Sequence, residues 1–420
     1  MSVVVIVALH AQESGLLTQL RTLPDVEEVI PTVVDTPFFK EGYELRVRQP
    51  LDHANPHGRS FLQSVYISHV DFGKPVVYVT EGYASRGGAK PTELTTLLDA
   101  NQIVVEHRYF GKSRPDSMDW KYLTTRQAAE DHHHITVLLK PIYKGKWVST
   151  GISKGGQTTL FYRYYFPDDV DASVSYVAPV NLSQEDPRII TFLRNVGTKE
   201  VRNKLKQFQL ALLKRESEIV PLVGGLAIKK DYTFSIGKAL AYEYSVLEFP
   251  CGFWQYGHSP TEIPDPSAPP DSMLKALDNI ASLFYYSDRG IKMFEPFQYQ
   301  AYTEIGYYGY DITDFKPYLK VLKDPTNIIL APRNTELRFN PNVMYDVYTW
   351  LRDHGNKILY IYGEDDLWNA TAMVLSGKTN AVKIVKPGGS HTTRIANLPP
   401  DQKELVYATL QQWLGVGIRR

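Results

Sequence analysis

The chain has 420 residues, 46 basic and 46 acidic side chains, and a single cysteine, Cys251. Balanced charge leaves no electrostatic footprint for nucleic acid or an anionic membrane, and one cysteine excludes both an intramolecular disulfide and a cysteine metal cluster. The length asks for a large core with an insertion, or for two domains, and 28 tyrosines with 6 tryptophans suit an apolar pocket with polar tips.

Met1 to Ala11 is a short apolar run ending in small and polar residues. It is expected to be the remnant of a secretory signal peptide, with a buried strand as the alternative, and it is too short to insert stably in a membrane. Alternating patterns then predict strands at 43–48, 60–68 and 75–80, separated by turn-rich stretches such as Asp52 to Gly58. The third is nearly all β-branched or apolar, as a strand buried on both faces requires. It runs into Glu81-Gly82-Tyr83. Another buried strand, from Gln102, ends in Glu106-His107-Arg108-Tyr109-Phe110-Gly111. A helix from about Thr125 to Lys140 follows and carries His132, His133 and His134. Consecutive helical positions point about 100° apart, so these three cannot converge on one metal.

Lys146 to Thr150 reads as a short buried strand, and Gln157 to Phe166 as a helix ended by Pro167. Between them Gly151-Ile152-Ser153-Lys154-Gly155 makes G-x-S-x-G, the strand–turn–helix pattern that exposes a nucleophilic serine above a sheet edge. Residues 172–180 form the next strand. This alternation of strands and helices predicts a mostly parallel, doubly wound sheet. The pattern changes between 181 and 340, where long helical periods and aromatic stretches predict a mainly helical cap. Within it, Glu304 lies among Tyr299, Tyr302, Tyr307 and Tyr308; it is either an anchor for a substrate ammonium or a packing residue bonded to an arginine.

The sheet resumes at 357–362 and leads into Gly363-Glu364-Asp365-Asp366-Leu367-Trp368. A further strand at 381–385 leads to Gly389-Ser390-His391, and an amphipathic helix at 401–413 closes the chain. The predicted layout is an α/β-hydrolase fold with core segments 38–180 and 341–420 around the cap. Serine, acid and histidine come in the order of that fold. Ser153 is the nucleophile and His391 the base; Asp366 is favoured as the acid, with Asp365 as the alternative. The Lys154 N–H and the loop at Gly82 and Tyr83 are expected to form the oxyanion hole, with the Lys154 side chain at the surface. The chemistry needs no cofactor and no metal. An esterase would use the same triad, since the turn does not distinguish ester from amide.

Several strings also resemble a known family: QPLDHANP at 49–56, VTEGY at 79–83, EHRYFGKS at 106–113, GISKGG at 151–156, YTEIGYY at 302–308, GEDDLW at 363–368 and GGSH at 388–391. Together they look like the secreted bacterial tripeptidyl-aminopeptidase family of serine peptidases, relatives of the prolyl carboxypeptidase and dipeptidyl peptidase II family. The related enzymes usually carry Asp-Pro-Trp where this chain has Asp-Leu-Trp. The resemblance implies an exported exopeptidase that releases dipeptides or tripeptides from peptide substrates with a free N-terminus, through Ser153, Asp366 and His391. By position it implies Glu81 and Glu304 as the carboxylates near the substrate amine.

Overall fold

The computed structural model describes residues 14–420; the expected signal remnant at Met1 to Ala11 lies outside the described residues. Nine strands form one sheet: β1 (Val26–Pro31), β2 (Glu41–Pro50), β3 (Ser60–His69), β4 (Val76–Thr80), β5 (Asn101–Val105), β6 (Trp147–Ile152), β7 (Ala172–Tyr176), β8 (Ile358–Gly363) and β9 (Val382–Lys386). Their order is β1-β2-β3-β5-β4-β6-β7-β8-β9. The pairs from β1 to β5 across β2 and β3 are antiparallel, and β5, β4, β6, β7, β8 and β9 run parallel. Strands β5 and β6 flank β4 on opposite sides. The chain leaves β4 toward β5 and leaves β6 toward β7, in opposite directions, and so opens a crevice at the carboxyl ends of β4 and β6, where such sheets bind ligands.

The period-2 geometry of a strand explains the layering. Tyr78 packs on one face with Ile135 and Leu139 of the helix α3 (Thr125–Leu139), and on the same side α1 (Gly15–Arg21) contributes Leu16 and Leu20. The adjacent Val77 faces the other way, against Leu94 and Leu98 of α2 (Glu93–Leu98) and Leu410 of the C-terminal helix Pro400–Leu414. Each such fully buried aliphatic side chain stabilises the fold by about 1.5–3 kcal/mol. After β6 comes α4 (Lys154–Tyr165), which starts directly behind Ser153.

Between β7 and β8 the chain makes α5 (Pro187–Leu193), α6 (Lys199–Lys214), α7 (Glu216–Lys230), α8 (Lys238–Tyr256), α9 (Pro270–Ile280), α10 (Asp288–Gln300) and α11 (Pro341–Asp353). The first six share a core of their own around Leu212, Phe249 and Leu277, which also takes in Leu367 and Trp368 from the turn after β8. The helical pattern of the sequence runs unbroken from Gly197 to Glu218, but the structure divides it at Arg215, which caps α6 and opens α7 with ψ 17°.

Two of the sequence strings meet in a buried ion network. Arg108, fully buried, donates from Nε and Nη2 to both Asp131 carboxylate oxygens at 2.7 and 2.8 Å, and His53 Nε2 reaches Asp131 Oδ1 at 2.7 Å. The turn after β2, the loop after β5 and α3 are thereby tied together. The three consecutive histidines of α3 meet different partners: His132 the Tyr78 hydroxyl, His133 Asp169, and His134 Gln49 with Asp25.

Candidate active site

Ser153 occupies the turn between β6 and α4 with φ 57° and ψ −123°. A side chain rarely adopts this left-handed region, and the neighbouring contacts hold it there. Ser153 N donates to Tyr176 O at 2.8 Å and Gln157 N donates to Ser153 O at 2.9 Å. The flanking glycines are required by close approach. A Cβ on Gly151 would come within 2.1 Å of the Gly155 carbonyl oxygen, and one on Gly155 within 2.6 Å of Thr80 O. Gly151→Ala is accordingly expected to destabilise the protein by about 1–3 kcal/mol through overpacking, read as a lower urea midpoint; an unchanged midpoint would show that the turn relaxes freely.

The loop after β4 passes directly over this turn: a Cβ on Gly82 would lie 2.6 Å from Lys154 Cβ. Two bonds from the strand β5 exit hold it. His107 N donates to Tyr83 O at 3.3 Å, and the Glu106 carboxylate accepts Ser85 N at 3.0 Å while also accepting Ser113 Oγ at 2.6 Å. The Lys154 N–H is the first of α4, where no carbonyl of the helix can reach it. Tyr83 N–H donates to no acceptor among the described residues. The Lys154 side chain departs from expectation. It is buried, with Nζ 5.6 and 5.3 Å from the Tyr83 and Phe110 ring centres, and burial lowers its pKa well below the usual lysine range.

The turn after β8 places Asp366 against His391. Asp366 is fully buried, accepts His391 Nδ1–H on Oδ2 at 2.8 Å, and caps the short helical turn Leu367–Thr371 by accepting Trp368 N on Oδ1 at 3.2 Å. Burial raises its pKa, opposed by His391 and the Trp368 N–H. Asp365 is half-buried, its pKa also raised by burial and by the adjacent Glu364. Thus Asp366, not Asp365, faces the histidine. His391 is itself fixed by its N–H to Gln255 O at 2.8 Å, at the end of α8.

Ser153, His391, Tyr83 and Trp368 line one cavity of about 230 Å³ with residues of α8, α10 and the 307–310 segment. Neither expected amine-binding carboxylate lines it. Glu304 sits in a π-helical turn, Ala301–Ile305, that directs it to the N-terminus of α3, where its Oε2 accepts Thr125 N at 2.7 Å. Unpaired N–H groups and the helix dipole favour a carboxylate there, and its outer side faces a separate groove with Arg333 and Arg338. Glu81 is half-buried at the end of β4 beside Glu106; burial and that like charge push it up to about 7. The carboxylate that does line the cavity is Glu248 of α8, which sequence reasoning missed. Its only sequence signal is a lone acid within Val246-Leu247-Glu248-Phe249. Among the described residues no group of three or more histidine, cysteine or acidic side chains is arranged to hold a metal ion.

Comparison with known proteins finds a matching family model and several similar proteins. The family model described as PS-10 peptidase S37 matches residues 30–420. The prolyl tri/tetrapeptidyl aminopeptidase of Streptomyces mobaraensis is 35% identical over 413 residues, covering 93% of this chain and 85% of that protein. The prolyl carboxy peptidase like protein 5 of Caenorhabditis elegans is 27% identical over 160 residues, 34% of this chain and 31% of that one. Among solved structures, the proline iminopeptidase of Mycobacterium smegmatis aligns over 88% of this chain and 98% of its own with a TM-score of 0.38 and 14% identity.

Proposed function

The chain belongs to the PS-10 peptidase S37 family, a serine peptidase of aminopeptidase type, and on that premise we propose that Ser153, His391 and Asp366 perform the hydrolysis. Ser153 Oγ attacks the scissile carbonyl and its proton passes to His391 Nε2, since Nδ1 is engaged by Asp366. Asp366 keeps the imidazole in that tautomer and stabilises the imidazolium. The Lys154 and Tyr83 N–H groups receive the oxyanion. The imidazolium then protonates the leaving amine, and a water deprotonated by His391 hydrolyses the acyl-enzyme. The helices between β7 and β8 act as a cap that limits entry to the serine. The substrates are peptides with a free N-terminus, and the name of the Streptomyces mobaraensis relative supports release of short peptides such as tripeptides.

The observation that carries this reading is that His391, paired with Asp366, lines the same cavity as a serine held at positive φ. A fluorophosphonate is expected to label the wild type and not Ser153→Ala; an unlabelled wild type removes the serine mechanism. Peptide amides with a free N-terminus are expected to be cleaved about 100-fold or more faster than their N-acetylated forms, the scale of a charge-assisted contact in a desolvated site. Equal rates would exclude the requirement for a free N-terminus.

A further inference from the structure

Glu248 is a carboxylate in the catalytic cavity without a cation. Each oxygen accepts one tyrosine hydroxyl: Tyr308 donates to Oε1 and Tyr310 to Oε2, both at 2.7 Å. Two hydroxyl dipoles orient the group but bring no charge, and each oxygen keeps a further acceptor site. No ion pair to Glu248 exists among the described residues. The other buried acids nearby are treated differently. Glu243, on the same helix, is wrapped by the backbone N–H groups of Lys320, Val321 and Leu322, and Asp278 is paired with Lys230. A glutamine at 248 would fill the space and hold the tyrosines with no charge to desolvate, so a packing role does not account for a carboxylate.

The cavity around it is prepared for a cation. Gln298 Oε1 also belongs to a lining residue, is buried, and has no donor. Tyr307, Tyr308 and Trp368 also line the cavity, and aromatic rings attract an ammonium through their quadrupole. Resting on the aminopeptidase reading above, we propose that Glu248, oriented by Tyr308 and Tyr310, accepts the α-ammonium of the substrate peptide and so determines that cleavage is counted from a free N-terminus. The distance from this anchor to Ser153 then decides which carbonyl is presented for attack.

The electrostatics make the contact pH-dependent. Burial pushes Glu248 up to about 7, against the pull of the Tyr310 and Tyr308 hydroxyls. The groups facing it do not change charge near neutrality: Cys251 and Tyr256 on its own helix, Tyr285 and Tyr286 on the turn after α9, and Tyr307 all have raised pKa values. His391 lies in the same cavity, but free-amine and N-acetyl substrates both require it, so it cancels in their ratio. Below about 7 the empty site holds a neutral acid, and an incoming ammonium must displace its proton. The preference for free-amine over N-acetyl peptide, as a ratio of kcat/KM, should therefore fall as pH drops from 7.5 to 5, approaching about tenfold per unit at the acid end.

The test uses one peptide amide, free and N-acetylated, with the full-length enzyme. In Glu248→Gln the preference is expected to fall about 100-fold, mainly through KM of the free-amine peptide, with Ser153 still labelled by fluorophosphonate. A labelled Glu248→Gln enzyme that keeps the wild-type preference overturns the anchor and leaves the aminopeptidase reading standing; a wild type with no preference removes both. If the variant does not fold, the pH series of the wild type and of Glu81→Gln decides: a ratio that falls toward acid in both supports Glu248, and a ratio that is flat between pH 5 and 7.5 in either overturns it.

Discussion

Asp366→Asn is expected to lower kcat about ten-thousandfold, and His391→Ala at least as much, whereas Asp365→Asn should stay within a few-fold of wild type. Steady-state rates on a free-N-terminal peptide amide, normalised to folded protein, measure all three. The asparagine is chosen because Asp366 has two tasks. Its Oδ1 caps the turn at Leu367–Thr371 while its Oδ2 receives His391 Nδ1–H. Asparagine retains the cap, which alanine would forfeit at a cost of about 1 kcal/mol. It can also present an amide N–H to Nδ1, leaving the proton on Nε2, where the serine proton must go. Catalysis is then lost without loss of structure. If Asp365→Asn proved the more damaging, the acid would have to be reassigned despite its half-exposed position.

Much of this site can be read from the sequence because its chemistry is local. The turn at Ser153 is dictated by glycines that must sit within a few residues of it, and β4 to β9 announce themselves as short apolar runs. Pattern favours Asp366 but leaves Asp365 open, since one peptide step decides which carboxylate turns inward. Strand β1 escaped because it is an edge strand, its Val26–Pro31 carrying two glutamates and no fully buried residue. Glu248 escaped for another reason: the hydroxyls that define it, on Tyr308 and Tyr310, belong to a segment remote in the chain, and α8 reads as an ordinary apolar helix. Glu304 misled because a π-helical turn rotates it from the aromatic cavity toward α3. Lys154 misled because a lysine inside a motif carries no sign that Tyr83 and Phe110 will cover it.

Arg108→Met is expected to destabilise the protein by about 3–5 kcal/mol, the scale for breaking a buried ion pair. The guanidinium binds both Asp131 oxygens and also donates to the carbonyls of Leu51 at 3.1 Å, Tyr122 at 2.7 Å and Pro50 at 3.1 Å. Methionine fills the space but leaves those acceptors unmatched. Burial alone would raise the Asp131 pKa; the charge and hydrogen bonds of Arg108, helped by His53, outweigh it and hold the carboxyl at about 2 against an ordinary 3.8. A depressed carboxylate contributes stability above its unfolded pKa and loses it as pH falls through the folded one. The penalty of Arg108→Met should therefore be largest at neutral pH, above the raised Asp131 pKa of the variant, and shrink as pH falls toward 2, measured as the difference in urea midpoints from wild type. A penalty constant with pH would assign the loss to packing and the stranded carbonyls instead. The consequence for catalysis follows from sequence order. Arg108 stands directly after Glu106 and His107, the residues that hold Ser85 N and Tyr83 O. Loosening its anchor frees the loop that carries the Tyr83 N–H, so kcat should fall at temperatures well below the melting transition, with KM changing less. Full kcat in folded Arg108→Met would separate the buried ion network from the oxyanion loop and leave it a role in stability alone.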